Sequence, residues 1–396
     1  MARKILHLDL DAFFCAVEEK FDPSLKGKPF ATGGSPEGRG VVSSCSYAAR
    51  QFGIHSAMPM KMALRKYPGL IVVRGSYKDY SKESRKVMEI IRDLTPLVEQ
   101  ISIDEAFLDV SDLPESPQRI AMDLQMKIYS ELDLPCSIGA ASSKLIAKIA
   151  NNIGKKQKRG KFAPMAITVI ELGKEQKFLA PLPVDEMWGI GPKTAAELNE
   201  IDIMTIGDIL NYPKELFIKK FGSFADDLIR RAQGIDNRPV AEYDGIKSVS
   251  NEITFFHDKG NQEELYAAFR QLSEKVGMRL RRKRLCGKTV KIKVRWPDFQ
   301  THSHQTTLSQ PTNQDSVIYD AAVHLFKNLW TPGKNVRLIG VGVCQLEDEY
   351  YQLELFDQSF QKEKELLRAI DTLHEKFGEK SVQKGFNSES LRTWKD

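Results

Sequence analysis

Apolar residues run almost unbroken from Ile5 to Phe14, interrupted by His7, Asp9 and Asp11. Such a run predicts a strand buried on both faces, over residues 3–11, with a helix beginning between Phe14 and Glu19. Pro23 and Gly27-Lys28-Pro29 then break the pattern, and the glycine-rich stretch from Thr32 to Gly40 reads as a loop or hairpin before a short strand at Val41-Val42. Serines 43, 44 and 46 offer N-caps to a helix from Tyr47 to Gly53. Tyr80, Val87, Ile90, Ile91 and Leu94 repeat at helical spacing, and 97–110 reads as two strands. Ile120, Leu124, Ile128 and Leu132 mark another helix, 136–141 a strand, and 142–153 a helix with Ser143 near its cap. Strand, helix, hairpin, helix, strand is a ferredoxin-like α+β order.

From Leu179 the pattern turns helical, and residues 237–247 read as a linker. Beyond it Leu265, Phe269, Leu272, Val276 and Leu280 form a helical stripe. Lys291, Lys293 and Arg295 alternate with Ile292, Val294 and Trp296, which puts the cations on one sheet face and the apolar side chains in the core. Leu366, Ile370, Leu373 and Phe377 mark a last helix ending near Gly378.

The 396 residues exceed one core and suit three or four domains. No apolar run approaches the ~20 residues that span a bilayer, and no signal-peptide pattern opens the chain. The five cysteines are scattered without a Cys-x-x-Cys pair, which argues against a zinc site or disulfide framework and for a reducing cytoplasm. The net charge of +5 is unevenly spread. Between Gly245 and Leu346 sixteen Lys/Arg face eight Asp/Glu, and Arg279 to Arg295 holds nine cations and no acid. That is a local footprint for a polyanion.

Chemistry concentrates in two acidic pairs, Asp9/Asp11 and Asp104/Glu105, each in an apolar strand-like run. If the strands are neighbours the carboxylates converge, and such a cluster calls for divalent cations, with hard oxygen ligands suiting Mg²⁺. Asp11 alone suits a helix cap equally well. Tyr47 and Arg50 share a helix face and suit either packing and solvation or a phosphate group. Gly154-Lys155-Lys156-Gln157-Lys158-Arg159-Gly160-Lys161 reads as a solvated loop or as a phosphate contact beside the acidic sheet. Trp188-Gly189-Ile190-Gly191-Pro192-Lys193 fits a helix-hairpin-helix, which grips a DNA backbone without reading sequence.

In combination these motifs resemble the Y-family DNA polymerases, most closely the bacterial DNA polymerase IV group. The carriers are Asp9-Leu10-Asp11-Ala12-Phe13-Phe14, Ser102 to Asp109, Val41 to Arg50, Lys144 to Ala150 and Trp188 to Gly191. The resemblance implies an α+β multidomain chain: a ferredoxin-like palm (1–12 and 75–168), small fingers (13–74), a helical thumb (169–236) with the helix-hairpin-helix, and a separate α+β little-finger domain (248–346). It implies two Mg²⁺ ions held by Asp9, Asp104, Glu105 and the Leu10 backbone carbonyl. Ser44, Tyr47, Arg50 and Lys155, with Lys156 as the neighbouring alternative, would hold a deoxynucleoside triphosphate, and Phe14 would be the steric gate against ribonucleotides. Gly189, Gly191, Lys193, Lys291, Lys293 and Arg295 would contact primer-template DNA. In the tail (347–396), Gln352, Leu353, Leu355 and Phe356 resemble a sliding-clamp-binding peptide. The implied protein is a cytoplasmic monomer with no membrane contact, a low-fidelity translesion polymerase without proofreading. A palm-like nucleotidyl cyclase and a non-catalytic DNA-binding accessory protein are the competing readings; neither explains the whole motif set.

Overall fold

The computed structural model describes residues 3–158, 160–242, 245–349, 358–378 and 381–382. They fall into two units, 1–244 and 245–396, each with its own sheet and core.

In the first unit β1 (Ile5–Leu10) leads into α1 (Phe13–Phe21) through Ala12 at φ 47°. Next come β2 (Phe30–Gly33), β3 (Val42–Cys45), α2 (Tyr47–Arg50), α3 (Met60–Lys66) and β4 (Ile71–Val73). The three strands form a small sheet, and the glycine-rich stretch is the β2–β3 hairpin, closed by a hydrogen bond from the Gly34 N–H to the Val41 carbonyl. Ser43 and Ser44 depart from their expected capping role because they sit in β3, where Ser44 pairs with Thr32. Only Ser46 caps α2, its Oγ accepting from the Ala49 N–H at 3.2 Å, and α2 is a single turn that stops short of Gly53.

The larger sheet is built from β1, α4 (Tyr77–Leu94), β5 (Val98–Gln100), β6 (Glu105–Asp109), α5 (Pro117–Leu132), β7 (Cys136–Ala141), α6 (Lys144–Gln157) and β8 (Ile167–Val169). Its order is β5-β6-β1-β7-β8, with β1 antiparallel to both neighbours. The first four are the expected ferredoxin-like set, and β8 is added in parallel to β7. Because side chains alternate, Leu6, Leu8 and Leu10 pack with Leu108 and Ile138 against α4 and α5 on one face. His7 and Asp9 point to the other face, covered by α6.

Helix α6 outruns the sequence-based stop at Ile153 and ends at Gln157. Gly154 is inside it: a Cβ there would stand 2.0 Å from the Thr168 Oγ1, so glycine lets the helix lie against β8. The first half of the lysine-rich stretch, through Gln157, is therefore the last helical turn, where Lys155 and Lys156 also meet the negative end of the helix dipole.

Five helices follow: α7 (Glu175–Leu179), α8 (Pro192–Asn199), α9 (Ile206–Asn211), α10 (Lys214–Phe221) and α11 (Phe224–Ala232). Gly189 takes φ 98°, open to glycine, and Gly191 caps α8 ahead of Pro192. The expected linker is docked along its first half. Asp236 accepts from the Leu145 N–H at 3.0 Å and pairs with Arg238 at 2.7 Å, the Ala241 N–H donates to Glu99 at 3.1 Å, and Val240 is buried. A carboxylate at the exposed N–H groups that open α6 explains the docking.

The second unit is β9 (Ser248–Lys259), α12 (Gln262–Arg282), β10 (Leu285–Arg295), β11 (Thr301–Thr312), α13 (Asp315–Lys327) and β12 (Val336–Asp348), then α14 (Gln358–Phe377). The antiparallel sheet runs β11-β10-β12-β9. Its inner face packs Ile292, Val294, Ile339 and Val341 against Leu265, Phe269 and Phe326. Lys291, Lys293 and Arg295 project from the other face as their alternation requires. Although the run from Arg279 to Arg295 holds no acid, that face does: Lys293 reaches across Gly340 to Glu252 at 2.8 Å, because β9, distant in sequence, pairs with β12. The run is not one patch either. Arg281, at the end of α12, is ion-paired at 2.7 Å to both Asp315 and Asp371, the latter on α14.

Candidate active site

A cleft of about 270 Å³ opens at the end of β1. Its lining includes Asp9, Asp104, Phe14, Ser44, Arg50 and Lys155. Register explains the meeting of the two acidic pairs: Asp9 lies opposite Glu105 across β1 and β6, and the Leu10 N–H donates to the Asp104 carbonyl at 3.0 Å. Asp104 precedes β6 and is steadied by the Ser102 hydroxyl, which donates to its Oδ1 at 2.5 Å. Asp11 is fully buried beyond the strand end, neither capping α1 nor lining the cleft. It accepts from the Ser137 hydroxyl at 2.9 Å and from the Met165 N–H at 3.0 Å.

Lysines hold the carboxylates. Lys155 Nζ stands 2.5 Å from Asp9 and 3.0 Å from Asp11. Burial pushes the Asp9 carboxyl up, and Lys155 opposes that shift. Burial lowers Lys155 in turn, but the two carboxylates more than reverse it. Lys156 faces away to Glu186, which decides between the two lysines for a place at the cleft. Lys148 Nζ is 2.7 Å from Glu105 Oε2, and His7 Nε2 lies 3.9 Å from the same oxygen. Burial raises the Glu105 carboxyl, but His7 and Lys148 outweigh it and hold it well below the usual carboxylate range. His7 itself is buried and lowered to about 4, chiefly by desolvation, so its ring is neutral at ordinary pH.

Among the described residues, no three His, Cys, Asp or Glu side chains are already drawn together as a metal cage. The donor set still fits a hard cation. Asp9, Asp104 and the Leu10 backbone present oxygens only, and the partly buried Asp9 carboxylate answers to one ammonium shared with Asp11. Glu105, unlike Asp9 and Asp104, is not in the cleft lining and is held by Lys148.

The remaining expected residues are distributed as follows. Phe14 stacks on Tyr80, 4.2 Å between ring centres, and the Tyr80 hydroxyl donates to Glu18 at 2.6 Å. Arg50 lies over the Tyr47 ring at 4.5 Å, and the Tyr47 hydroxyl donates to Asp11 at 3.5 Å. Tyr47 thus stands behind the cleft rather than in its lining. Lys193 is exposed beside the Gly189 turn. Gln352, Leu353, Leu355 and Phe356 lie outside the described residues.

Sequence reasoning missed Lys148, Asn151, His7 and Tyr80. A signal existed in α6. Lys144, Lys148, Asn151 and Lys155 are spaced four, three and four apart and form one polar stripe. They meet in turn Glu99 on β5, Glu105 on β6, His7 on β1, and the pair Asp9 and Asp11.

Comparison with known proteins agrees with this architecture. Models of the impB/mucB/samB family match residues 8–152, its C-terminal domain 246–355, and the family's HHH motif 173–203. The chain belongs to this family, that of the Y-family DNA polymerases. Its relatives point to one group within it. DNA polymerase IV of Dehalococcoides mccartyi strain 195 is 37% identical over 97% of both chains. DNA polymerase IV of Streptococcus mutans is 40% identical over 88% of this chain and 93% of its own. DNA polymerase IV 1 of Bacillus subtilis strain 168 is 36% identical over 97% and 93%. Among solved structures, a Y-family polymerase chimera of Dbh and Dpo4 superposes with a TM-score of 0.76 at 25% identity, covering 86% of this chain and 98% of that one. An insertion ternary complex of Dbh DNA polymerase gives 0.62 at the same identity and coverage. The chain is accordingly a DNA-directed DNA polymerase of the translesion class. Among the described residues no helix is long and apolar enough to cross a membrane.

Proposed function

We propose that the chain extends a primer on damaged or distorted templates, at low fidelity and without proofreading, through Mg²⁺-dependent nucleotidyl transfer at the cleft beside β1. One observation carries the reading: Asp9 and Asp104 share a cleft with an aromatic ring, a hydroxyl and two cations. Two Mg²⁺ ions bound by Asp9, Asp104, Glu105 and the Leu10 carbonyl would activate the primer 3′-hydroxyl and offset charge on the leaving pyrophosphate.

The chain's own residues do the rest. Arg50 and Ser44 hold the triphosphate, with Tyr47 keeping Arg50 in place through its ring face. Lys155, which holds Asp9 here, would be free to serve the triphosphate once a cation took its place on that carboxylate. Phe14, stiffened by Tyr80, crowds the sugar where a ribose would carry its extra hydroxyl. Residues 1–12 and 75–168 serve as palm, 13–74 as fingers, 169–236 as thumb and 248–346 as little finger. The Gly189–Lys193 turn and the face bearing Lys291, Lys293 and Arg295 would bind DNA backbone, and the 352–356 peptide would tether the enzyme to a sliding clamp.

Primer extension with and without Mg²⁺, using Asp104→Ala as control, tests the proposal. Extension should need the metal and fall about a thousandfold or more in the variant, given the several kcal/mol that metal contacts supply to the transition state. Equal extension by both proteins refutes the site. Phe14→Ala should admit ribonucleotides while deoxynucleotide synthesis continues; unchanged sugar discrimination removes Phe14 from its role.

A further inference from the structure

His7 is wholly buried, and its Nε2 has no hydrogen-bond partner. A buried orphan donor costs free energy and calls for an explanation. The tautomer follows from Asn151. Its Nδ2 donates to two backbone carbonyls, those of His7 at 3.2 Å and Ser137 at 3.1 Å, which fixes the amide's orientation. The same nitrogen faces His7 Nδ1 at 3.0 Å; an amide nitrogen accepts nothing, so Nδ1 carries no proton and the ring proton sits on Nε2. That N–H is aimed at Glu105 Oε2, 3.9 Å away.

The ring cannot turn elsewhere. It packs against Phe107 with 4.8 Å between ring centres. Gly139, its cross-strand neighbour on β7, lets α6 approach: a Cβ there would lie 2.0 Å from the Ala147 carbonyl oxygen and 2.6 Å from the Asn151 nitrogen. Three elements thus collaborate to present one neutral N–H to one carboxylate.

We propose that His7 is a positioning residue for Glu105, its Nε2–H taking one carboxylate oxygen so that the other is turned toward bound metal. Lys148 alone serves this end poorly, because a cation on Glu105 repels the ions that the carboxylate must bind. An uncharged donor orients the group without that repulsion, as supporting hydrogen bonds do at other metal sites. The inference rests on the active-site reading given above, and its test separates the two.

Mn²⁺ binding to the full-length protein, followed by electron paramagnetic resonance, is the measurement. Asp104→Ala reports on the reading itself: if the parent protein binds no Mn²⁺, or binds it equally well with that substitution, the metal site fails and the inference with it. With a metal site established, His7→Phe keeps the ring and removes the donor, and should weaken Mn²⁺ about tenfold. His7→Gln, which keeps an N–H, should restore most of that loss. Undiminished affinity in His7→Phe overturns the role of His7 alone. Should His7→Phe not fold, ¹⁵N spectra of the parent decide. An Nε2-protonated neutral ring whose N–H signal shifts on adding Mg²⁺ supports the inference; an Nδ1-protonated ring, or no shift, overturns it.

Discussion

In the first unit, the sheet face bearing Asp9 and Glu105 is roofed by α6, and every charge there answers to a named partner. In the second, the face bearing Lys291, Lys293 and Arg295 has no helix over it among the described residues, since α12 and α13 pack on the opposite side. Roofed charges have lost most of their water, so losing one partner strands the other. Open charges stay hydrated, act on a polyanion together, and can be exchanged singly at little cost. The same β-α-β-β-α-β ingredients therefore yield a roofed, paired face in one unit and an open, basic face in the other.

Lys155→Met is the sharpest way to break the contrast. It leaves Asp9 and Asp11 without their shared cation, and in EDTA should cost about 3–5 kcal/mol by thermal or urea melting. Added Mg²⁺ should return part of it. Lys291→Met, on the open sheet, should stay within about 0.5 kcal/mol. If both cost the same, roofing is not what separates the two faces.

Next in size is Gly139→Ala, which forces α6 off the sheet and should cost about 1–3 kcal/mol through overpacking. For the open face, replacing Lys291, Lys293 and Arg295 together by Ser should weaken DNA binding and flatten its dependence on salt, by about one unit of slope for each phosphate no longer neutralised. Lys293→Ser alone should do least, because Glu252 already engages that ammonium. Smallest is Thr205→Ala, which opens the capping box with Asp208 at the start of α9 and should cost about 1 kcal/mol. Hydrogen bonds from Thr205 hold the Asp208 carboxyl below its ordinary value. That contribution is present above about pH 4, the unfolded carboxyl value, and fades as pH falls through the lower folded value; because the Thr205 backbone N–H that donates to Asp208 survives the substitution, variant and parent should lose it alike and stay about 1 kcal/mol apart.

Much of this is legible in residue order. Period-two and period-3.6 patterns locate β1, α4, α5 and β7 within a few residues, and the acidic pairs meet as their strands imply. What escapes depends on segments distant in sequence. The extension of α6 past Ile153 rests on Gly154 meeting Thr168 on β8. The placement of Ser44 in a strand rests on its pairing with Thr32. Glu252 and Asp371 are remote in sequence from the cations they pair with, so no local charge count would reveal them. His7 is one of three polar residues in an apolar run, and nothing beside it in the sequence marks the amide that orients it.

Gly340 and Gly342 lie on β12 between the cations of β10 and the residues Glu252 and Ser250 of β9, and neither puts a side chain on the open face. The Lys293–Glu252 pair bridges Gly340, so the bare backbone at the middle of that face is at Gly342, beside Lys291. A DNA backbone lying there, as proposed above, would meet little relief at Gly342 to hold it in one seat. For an enzyme that must move after every addition, an even track matters as much as a firm grip.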